Sequence, residues 1–250
     1  MRKKDRQKAI IREINLHNKV LSTDLSILLN VSDDTIRRDL KELADAGQVM
    51  KVHGGAVSKS FVAPFNIENQ VYSLGAKKEI AGKTISSLFR NNMAILTEGG
   101  TTMLELAKMI PPSLKATFFT ISPQVAITLS EHSNLDVISI GGKLNKNSNL
   151  HTGASVINQL AEIKVDLAIL GVNAISSEEG LTDMDWEVVQ VKKAIVRSAK
   201  KTAVICISEK LNTVQRIKVC PPGQIHYLIT ELRASESVLV PYLQQGIEVL

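Results

Sequence analysis

Two stretches of this 250-residue chain hold residue types at spacings that could do chemistry, and both point to anions. The first runs Ser32-Asp33-Asp34-Thr35-Ile36-Arg37-Arg38-Asp39-Leu40-Lys41. Ile36, Leu40 and Leu43 recur at i, i+4 and i+7, so a helix would turn them inward. That leaves Ser32, Asp33, Thr35, Arg37, Arg38 and Lys41 largely outward, mostly near the helix start. Arginine can bond guanine bidentately, and serine or threonine can contact bases or phosphates. The second stretch is Glu98-Gly99-Gly100-Thr101-Thr102. Glycines let backbone approach a ligand, a following helix start offers free N–H groups and positive potential, and two hydroxyls add donors. Such a loop can cradle a phosphate, although glycine before a helix is often only a turn.

The elements that must position the first stretch are legible. Ile10, Ile11 and Ile14 make one face of a helix over 5–17, and a β-prone Lys19-Val20-Leu21 follows. Ser22-Thr23-Asp24 opens a second helix with Leu25, Leu28 and Leu29 as its apolar side. Ser32 is a good N-cap for the third helix, Asp33 and Asp34 suit its dipole, and Gly47 ends it. After it, QVMKVHGGAV predicts a hairpin around His53-Gly54-Gly55. Three helices and a hairpin in this order form a winged helix-turn-helix, which places the start of its second motif helix in the DNA major groove. Candidate DNA contacts are therefore Ser22, Thr23, Ser32, Asp33, Thr35, Arg37, Arg38, Lys41, Lys51, His53 and Gly54. The tail residues Arg2, Lys3, Lys4 and Arg6 could add phosphate contacts. Charge agrees: the first 60 residues hold 12 Lys/Arg against 8 Asp/Glu, and the formal net charge of the whole chain is +5.

Residues 58–75 show no clean periodicity and read as a connector. From Ala76 apolar strands alternate with helical stretches: a helix over 76–90, MAILT, a helix after GGTT, ATFFTIS, PQVAITLSEH, DVISIGG, VDLAILG, TAVICIS and IHYLIT, with helices near 152–162 and 187–201. This predicts a Rossmann-like parallel α/β sheet covered on both faces, with ligands at the carboxyl ends of its strands. Loops there place Ser122, Gly141, Gly142, Lys143, Asn173 and Gly180 beside the 98–102 loop, and Lys210 could face an anion or simply lie on the surface. The expected fold is α/β: a small winged helix-turn-helix over 1–57, a linker over 58–75 and a larger effector-binding domain over 76–250. Trp186, the only tryptophan, is either a packing residue at a helix start or a lid over the pocket.

TIRRDLKELADAGQVMKVHGGAV resembles the signature of the DeoR-type bacterial transcriptional regulators, and the match extends over about residues 5–57. Residues 76–250 resemble the sensor domain of the same family, whose fold is similar to ribose-phosphate and glucosamine-phosphate isomerases. The resemblance implies a repressor of a carbohydrate operon, a double-stranded DNA operator, and a phosphorylated sugar or related metabolite as effector. It further implies a homo-oligomer, dimer or tetramer, associated through its sensor domains. The GGTT, GGK, GLT and Lys210 positions match the family's ligand loops. The chain departs from the family at Glu98-Gly99, usually Asp-Ser, at Ile121, commonly Asn, and at Asn173 or Ile207, often acidic. Isoleucine at 121 and 207 cannot bond a sugar hydroxyl, so the sugar-reading part of the pocket is expected to differ.

Other classes fit less well. Isomerase chemistry needs a general base, and the isomerase relatives carry acids in the loop matched by LGVNAIS, where this chain has Asn173 and no carboxylate before Glu178. No P-loop or Ser/His/Asp set stands out, so no catalytic residue and no cofactor are expected. The alternatives kept are an isomerase-like enzyme and an effector-free DNA-binding regulator. Cys206 and Cys220 form no CxxC pair, and no metal site is expected. With a charged N-terminus and no apolar run near the roughly 18 residues of a bilayer span, a cytoplasmic location and no membrane partner are expected.

Overall fold

The computed structural model describes residues 1–17, 19–58 and 73–250. The chain divides into two units, Met1–Tyr72 and Ser73–Leu250. Most of the expected connector, residues 59–72, lies outside the described residues.

In the first unit, α1 (Lys3–His17), β1 (Lys19–Leu21), α2 (Ser22–Leu29), α3 (Asp33–Asp45), β2 (Val49–Val52) and β3 (Gly55–Ser58) follow in order. Ile10, Ile14, Leu25, Ile36, Leu40 and Leu43 close around one small core. Ser32 caps α3 by accepting the Thr35 N–H, as its hydroxyl allows. At the other end Gln48 N bonds Leu43 O and Gly47 N bonds Ala44 O, the paired closure that lets a chain leave a helix sharply. Leu28 departs from the expected apolar side: it is 60% exposed beside Ile27, because the eight-residue α2 turns Ser22 and Leu25 inward instead. The wing is also larger than a hairpin. β1 joins it as a third strand in the order β1-β3-β2, with Val20 opposite Ala56. Gly55 permits this, since a Cβ there would stand 1.9 Å from the Val20 carbonyl oxygen.

The second unit opens with α4 (Leu74–Leu88), which begins inside the stretch read as connector. A parallel sheet of seven strands follows the order β15-β14-β12-β9-β4-β5-β6. Its strands are β4 (Ala94–Thr97), β5 (Ala116–Thr120), β6 (Leu135–Ser139), β9 (Val165–Gly171), β12 (Ala199–Ile205), β14 (Tyr227–Ile229) and β15 (Glu248–Val249). The connecting helices are α5 (Thr101–Lys108), α6 (Pro123–Ser130), α7 (Ala154–Ala161), α8 (Trp186–Ser198) and α9 (Val240–Gln244). Ile95, Leu96, Leu167, Ala168, Ile169, Leu170, Ala203 and Val204 are at most 2% exposed, which is why these strands are continuously apolar.

Two antiparallel additions had no clear signal in the sequence. β7 (Lys143–Asn145) and β8 (Leu150–Thr152) form a hairpin, and β10 (Ala174–Ser176), β11 (Gly180–Asp183) and β13 (Ile217–Cys220) form a small sheet. From β4 the chain builds outward to β5 and β6, then crosses back to β9 on the other side. The direction of winding thus reverses between β4 and β9, and a crevice at their carboxyl ends is where such sheets bind ligands.

Candidate functional site

The DNA-facing candidates gather on the start of α3 and on the wing. Arg37 is 64% exposed at its side chain, and its Nε lies 2.7 Å from Asp33 Oδ2, one turn earlier. Arg38, Lys41, Lys51 and His53 are exposed. Among the described residues none of these four side chains has an ion-pair or hydrogen-bond partner. Ser32 Oγ and Thr35 Oγ1 stand 2.8 Å apart at the mouth of the helix, and exposed Gly54 turns the wing. Thr23 is exposed at the start of α2.

Three sequence expectations change here. Ser22 is only 5% exposed, and its N–H is bound to Gly54 O, so it ties α2 to the wing and faces no groove. Arg6 is bidentate to Asp39, with Nε 2.5 Å from Oδ2 and Nη2 3.3 Å from Oδ1. Lys3 Nζ sits 2.7 Å from Glu42 Oε1. Arg6 and Lys3 therefore bind α1 to α3, and of the tail cations Arg2 and Lys4 remain exposed and unpaired among the described residues.

In the second unit the strand-end loops interlock. Gly100 caps α5 at φ 100°, a backbone angle that favours glycine, with nothing within 4 Å of where a Cβ would sit. Thr101 and Thr102 follow, half-buried, with hydroxyls that find no partner among the described residues. Thr120 Oγ1 donates to Glu98 O at 3.3 Å, and Ser122 is buried, capping α6 through Val125 N. Gly99 packs against Ser122 and Leu150, and Gly142 against Val156, while Gly141 faces open space.

Behind these loops lies a group of charges that the sequence reading did not find. Lys192 on α8 is 3% exposed. Its Nζ lies 2.8 Å from Asp183 Oδ2, 3.2 Å from Glu98 Oε1 and 3.2 Å from the Gly171 carbonyl oxygen. Glu98 also accepts the Gly171 N–H, so one carboxylate ties the end of β4 to the end of β9. Burial pushes the Glu98 carboxyl up to about 7, partly offset by Lys192. Burial works the same way on Asp183, but Lys192, Asn173 and the Met184 N–H overcome it and hold that carboxyl below its ordinary range. Burial would lower the Lys192 ammonium, and the two carboxylates instead hold it above its usual value.

Several expected effector contacts change role accordingly. Glu98 supports the cradle from beneath, its carboxylate turned into the protein at 4% exposure. Asn173 donates to Asp183 Oδ1 at 2.8 Å. Gly180 is structural, because a Cβ would meet Cys220 O at 2.3 Å. Lys143 reaches Glu187 Oε1 at 3.4 Å and helps fasten the β7–β8 hairpin to the start of α8. Trp186 at that start is 65% exposed, which rules out the packing role. The LGVNAIS loop does have a carboxylate beside it, Asp183, which the fold delivers from β11. That carboxylate is fully engaged by Lys192, Asn173 and two backbone N–H groups.

Lys210 donates to Val172 O at 2.7 Å, and burial brings its ammonium down to about 8. Lys77 on α4 is 6% exposed, and burial, then repulsion from Lys210, bring it down to about 7. Glu105 and Glu209 act in the opposite sense on Lys77. Lys210 thus adds to burial in disfavouring the charged form of Lys77. Lys77 and Lys192 had a signal after all: each falls on the apolar stripe of its helix, Lys77 with Ile80, Ala81 and Thr84, Lys192 with Val188, Val191 and Ile195.

Residues 6–61 match the DeoR-like helix-turn-helix domain, and residues 73–232 match the DeoR C terminal sensor domain. The chain is 29% identical to the HTH-type transcriptional regulator GolR of Listeria innocua, covering 98% of this chain and 97% of that one. It is 27% identical to the HTH-type transcriptional repressor GlcR of Bacillus subtilis, over 100% and 96% of the two chains. It is 26% identical to the glycerol-3-phosphate regulon repressor of Haemophilus influenzae, over 92% and 90%. A winged reading head, a doubly wound sheet with glycine loops at its switch point, and these full-length matches lead to one assignment: the chain belongs to the DeoR family of DNA-binding transcriptional regulators.

Proposed function

We propose that this regulator is a cytoplasmic repressor of a carbohydrate-utilisation operon, released from its operator by a phosphorylated sugar or a related metabolite. The observation that carries the effector reading is the Lys77–Lys210 pair. Burial holds both ammonium groups below their ordinary range, and Lys210 lowers Lys77 further, so each gains from an anion placed beside it. The Gly100 loop and the unpaired Thr101 and Thr102 hydroxyls supply donors for the same phosphate. Gly141, open to solvent, and Ser122 border this region of strand ends. Ile121 and Ile207 are 1% and 4% exposed and offer a sugar no hydroxyl partner. One relative is named a glycerol-3-phosphate regulon repressor, which supports a phosphorylated effector.

Two or more subunits associate, as a dimer or tetramer, so that paired α3 helices enter successive major grooves, roughly 34 Å apart if one turn separates them. The effector binds one arrangement of the assembly better than the other, and that difference in affinity sets DNA occupancy. The test is a thermal-shift screen of the full chain against sugar phosphates, their parent sugars and inorganic phosphate, followed by operator binding with each hit. Stabilisation by a sugar phosphate that also lowers operator affinity is the expected result. No stabilisation by any phosphorylated compound removes the effector reading and leaves the DNA-binding assignment standing.

A further inference from the structure

We propose that Asp33 is a specificity-determining residue of the reading helix, acting on Arg37 as a positioning residue that leaves it one way to recognise guanine. This rests on the assignment of α3 as the helix that reads bases. A guanidinium has two edges that carry paired donors, the Nε/Nη2 side and the Nη1/Nη2 end, and either can meet the O6 and N7 acceptors of guanine. The Asp33 carboxylate forms an ion pair with Arg37, its Oδ2 2.7 Å from Nε, and so crowds the first edge. The end of the guanidinium has no partner among the described residues.

The neighbouring arginine shows that the pairing is selective. Asp34 precedes Arg38 at the same i, i+4 spacing, yet among the described residues Arg38 has no ion-pair partner. Two adjacent arginines on one helix face are thus prepared differently: Arg37 is braced, and Arg38 is free to follow a phosphate. In water an exposed pair such as Asp33–Arg37 contributes little. In a groove, where water is displaced, the attraction strengthens and the brace stiffens. The same carboxylate repels phosphates, so it weakens binding wherever Arg37 lacks its guanine. Discrimination between DNA sequences arises from that penalty as much as from the favourable contact.

The experiment selects a consensus with the full wild-type chain from a randomised duplex pool. Fluorescence anisotropy then compares that consensus with each single base-pair substitution, for wild type, Asp33→Ala, Arg37→Ala and the double variant. Arg37→Ala is expected to lose a preference of about tenfold at one G·C pair. Asp33→Ala is expected to lose most of the preference at that same pair and to bind random-sequence duplex more tightly, because an acid near phosphates is gone. The double variant is expected to match Arg37→Ala. Asp33→Asn, which keeps a residue well suited to a helix start, should behave as Asp33→Ala, and circular dichroism checks that both retain the wild-type helix signal. Wild-type preference in Asp33→Ala, an even loss at every position, or a further change of preference when Asp33→Ala is added to Arg37→Ala would overturn the proposal. If Arg37→Ala itself keeps full preference, the assignment of α3 falls, and this inference with it.

Discussion

Arg6 and Asp39 hold the reading head together: a half-buried guanidinium on the first helix grips a carboxylate on the third that is only 2% exposed. The contact explains why an acid sits inside the TIRRDL segment, on the inward side of a helix whose other face is exposed. Replacing Arg6 with alanine leaves that carboxylate buried without its partner. The melting midpoint of the DNA-binding unit should fall by on the order of 5 °C, and lysine at 6 should restore only part, since the fork is lost. The salt dependence of operator binding separates structure from contact. It should keep its slope in Arg6→Ala and lose about one unit in Lys41→Ala. A slope change in Arg6→Ala would mean that this arginine reaches phosphate.

Lys192 supports a second prediction. Lys192→Met strands Glu98 and Asp183 in the interior and should cost about 3–5 kcal/mol in urea denaturation at neutral pH. Both carboxyls then have folded pKa values above their unfolded ones. Their neutral forms favour the fold at low pH, and that support is lost as pH rises. The deficit should therefore be smaller at pH 5 than at pH 8, and Glu98→Gln with Asp183→Asn should recover part of it. An equal deficit at both pH values would show that Lys192 acts mainly by packing.

Effector affinity should depend on pH in a defined direction. In the free protein burial brings the Lys77 ammonium down to about 7 and the Lys210 ammonium down to about 8. A bound phosphate raises both, so binding takes up protons and affinity strengthens as pH falls from 9 towards 7. Below about 6 the ligand phosphate itself gains a proton and the trend reverses. Calorimetric titration in buffers of different ionisation enthalpy reads the proton uptake directly. Lys77→Met should flatten the profile.

Thr101→Val with Thr102→Val should abolish the metabolite response and spare operator binding, because the two hydroxyls stand in the second unit at the open face of the Gly100 loop. An unchanged effector dose curve removes the cradle from the mechanism.

Trp186 provides a reporter already in place. At 65% exposure its emission should be that of a solvated indole. Closure over a bound sugar phosphate should shift it to the blue. Unchanged emission at saturating ligand means that Trp186 is no lid.

Much of this architecture was legible because periodicity and turn chemistry are local. Ile36, Leu40 and Leu43 fixed the inward side of α3, Ser32 and Gly47 marked its ends, and VDLAILG matches β9 residue for residue. What escaped was whatever distant pairing decides. Nothing near Lys19-Val20-Leu21 indicates that it must lie beside Gly55-Ala56-Val57. Arg6 reads as a tail cation until Asp39, 33 residues away, is placed beside it. Asp183 became a neighbour of Asn173 only through the β10–β11 hairpin. The chemistry of the strand-end loops was read from their glycines, whereas the charges that support them come from helix stripes where lysine stands among valines and isoleucines.

The third strand of the wing has a mechanical consequence. Ser58, the last residue of β3, is 1% exposed, faces Val49 in β2, and bonds Asn15 of α1 through its hydroxyl. β3 is the middle strand, so a tug along its length at Ser58 loads the ladders on both sides together, in shear. Ladders loaded that way yield far less readily than a hairpin peeled open from one end. The head is therefore built so that a load reaching its middle strand leaves the exposed face of α3 in the shape in which it was made.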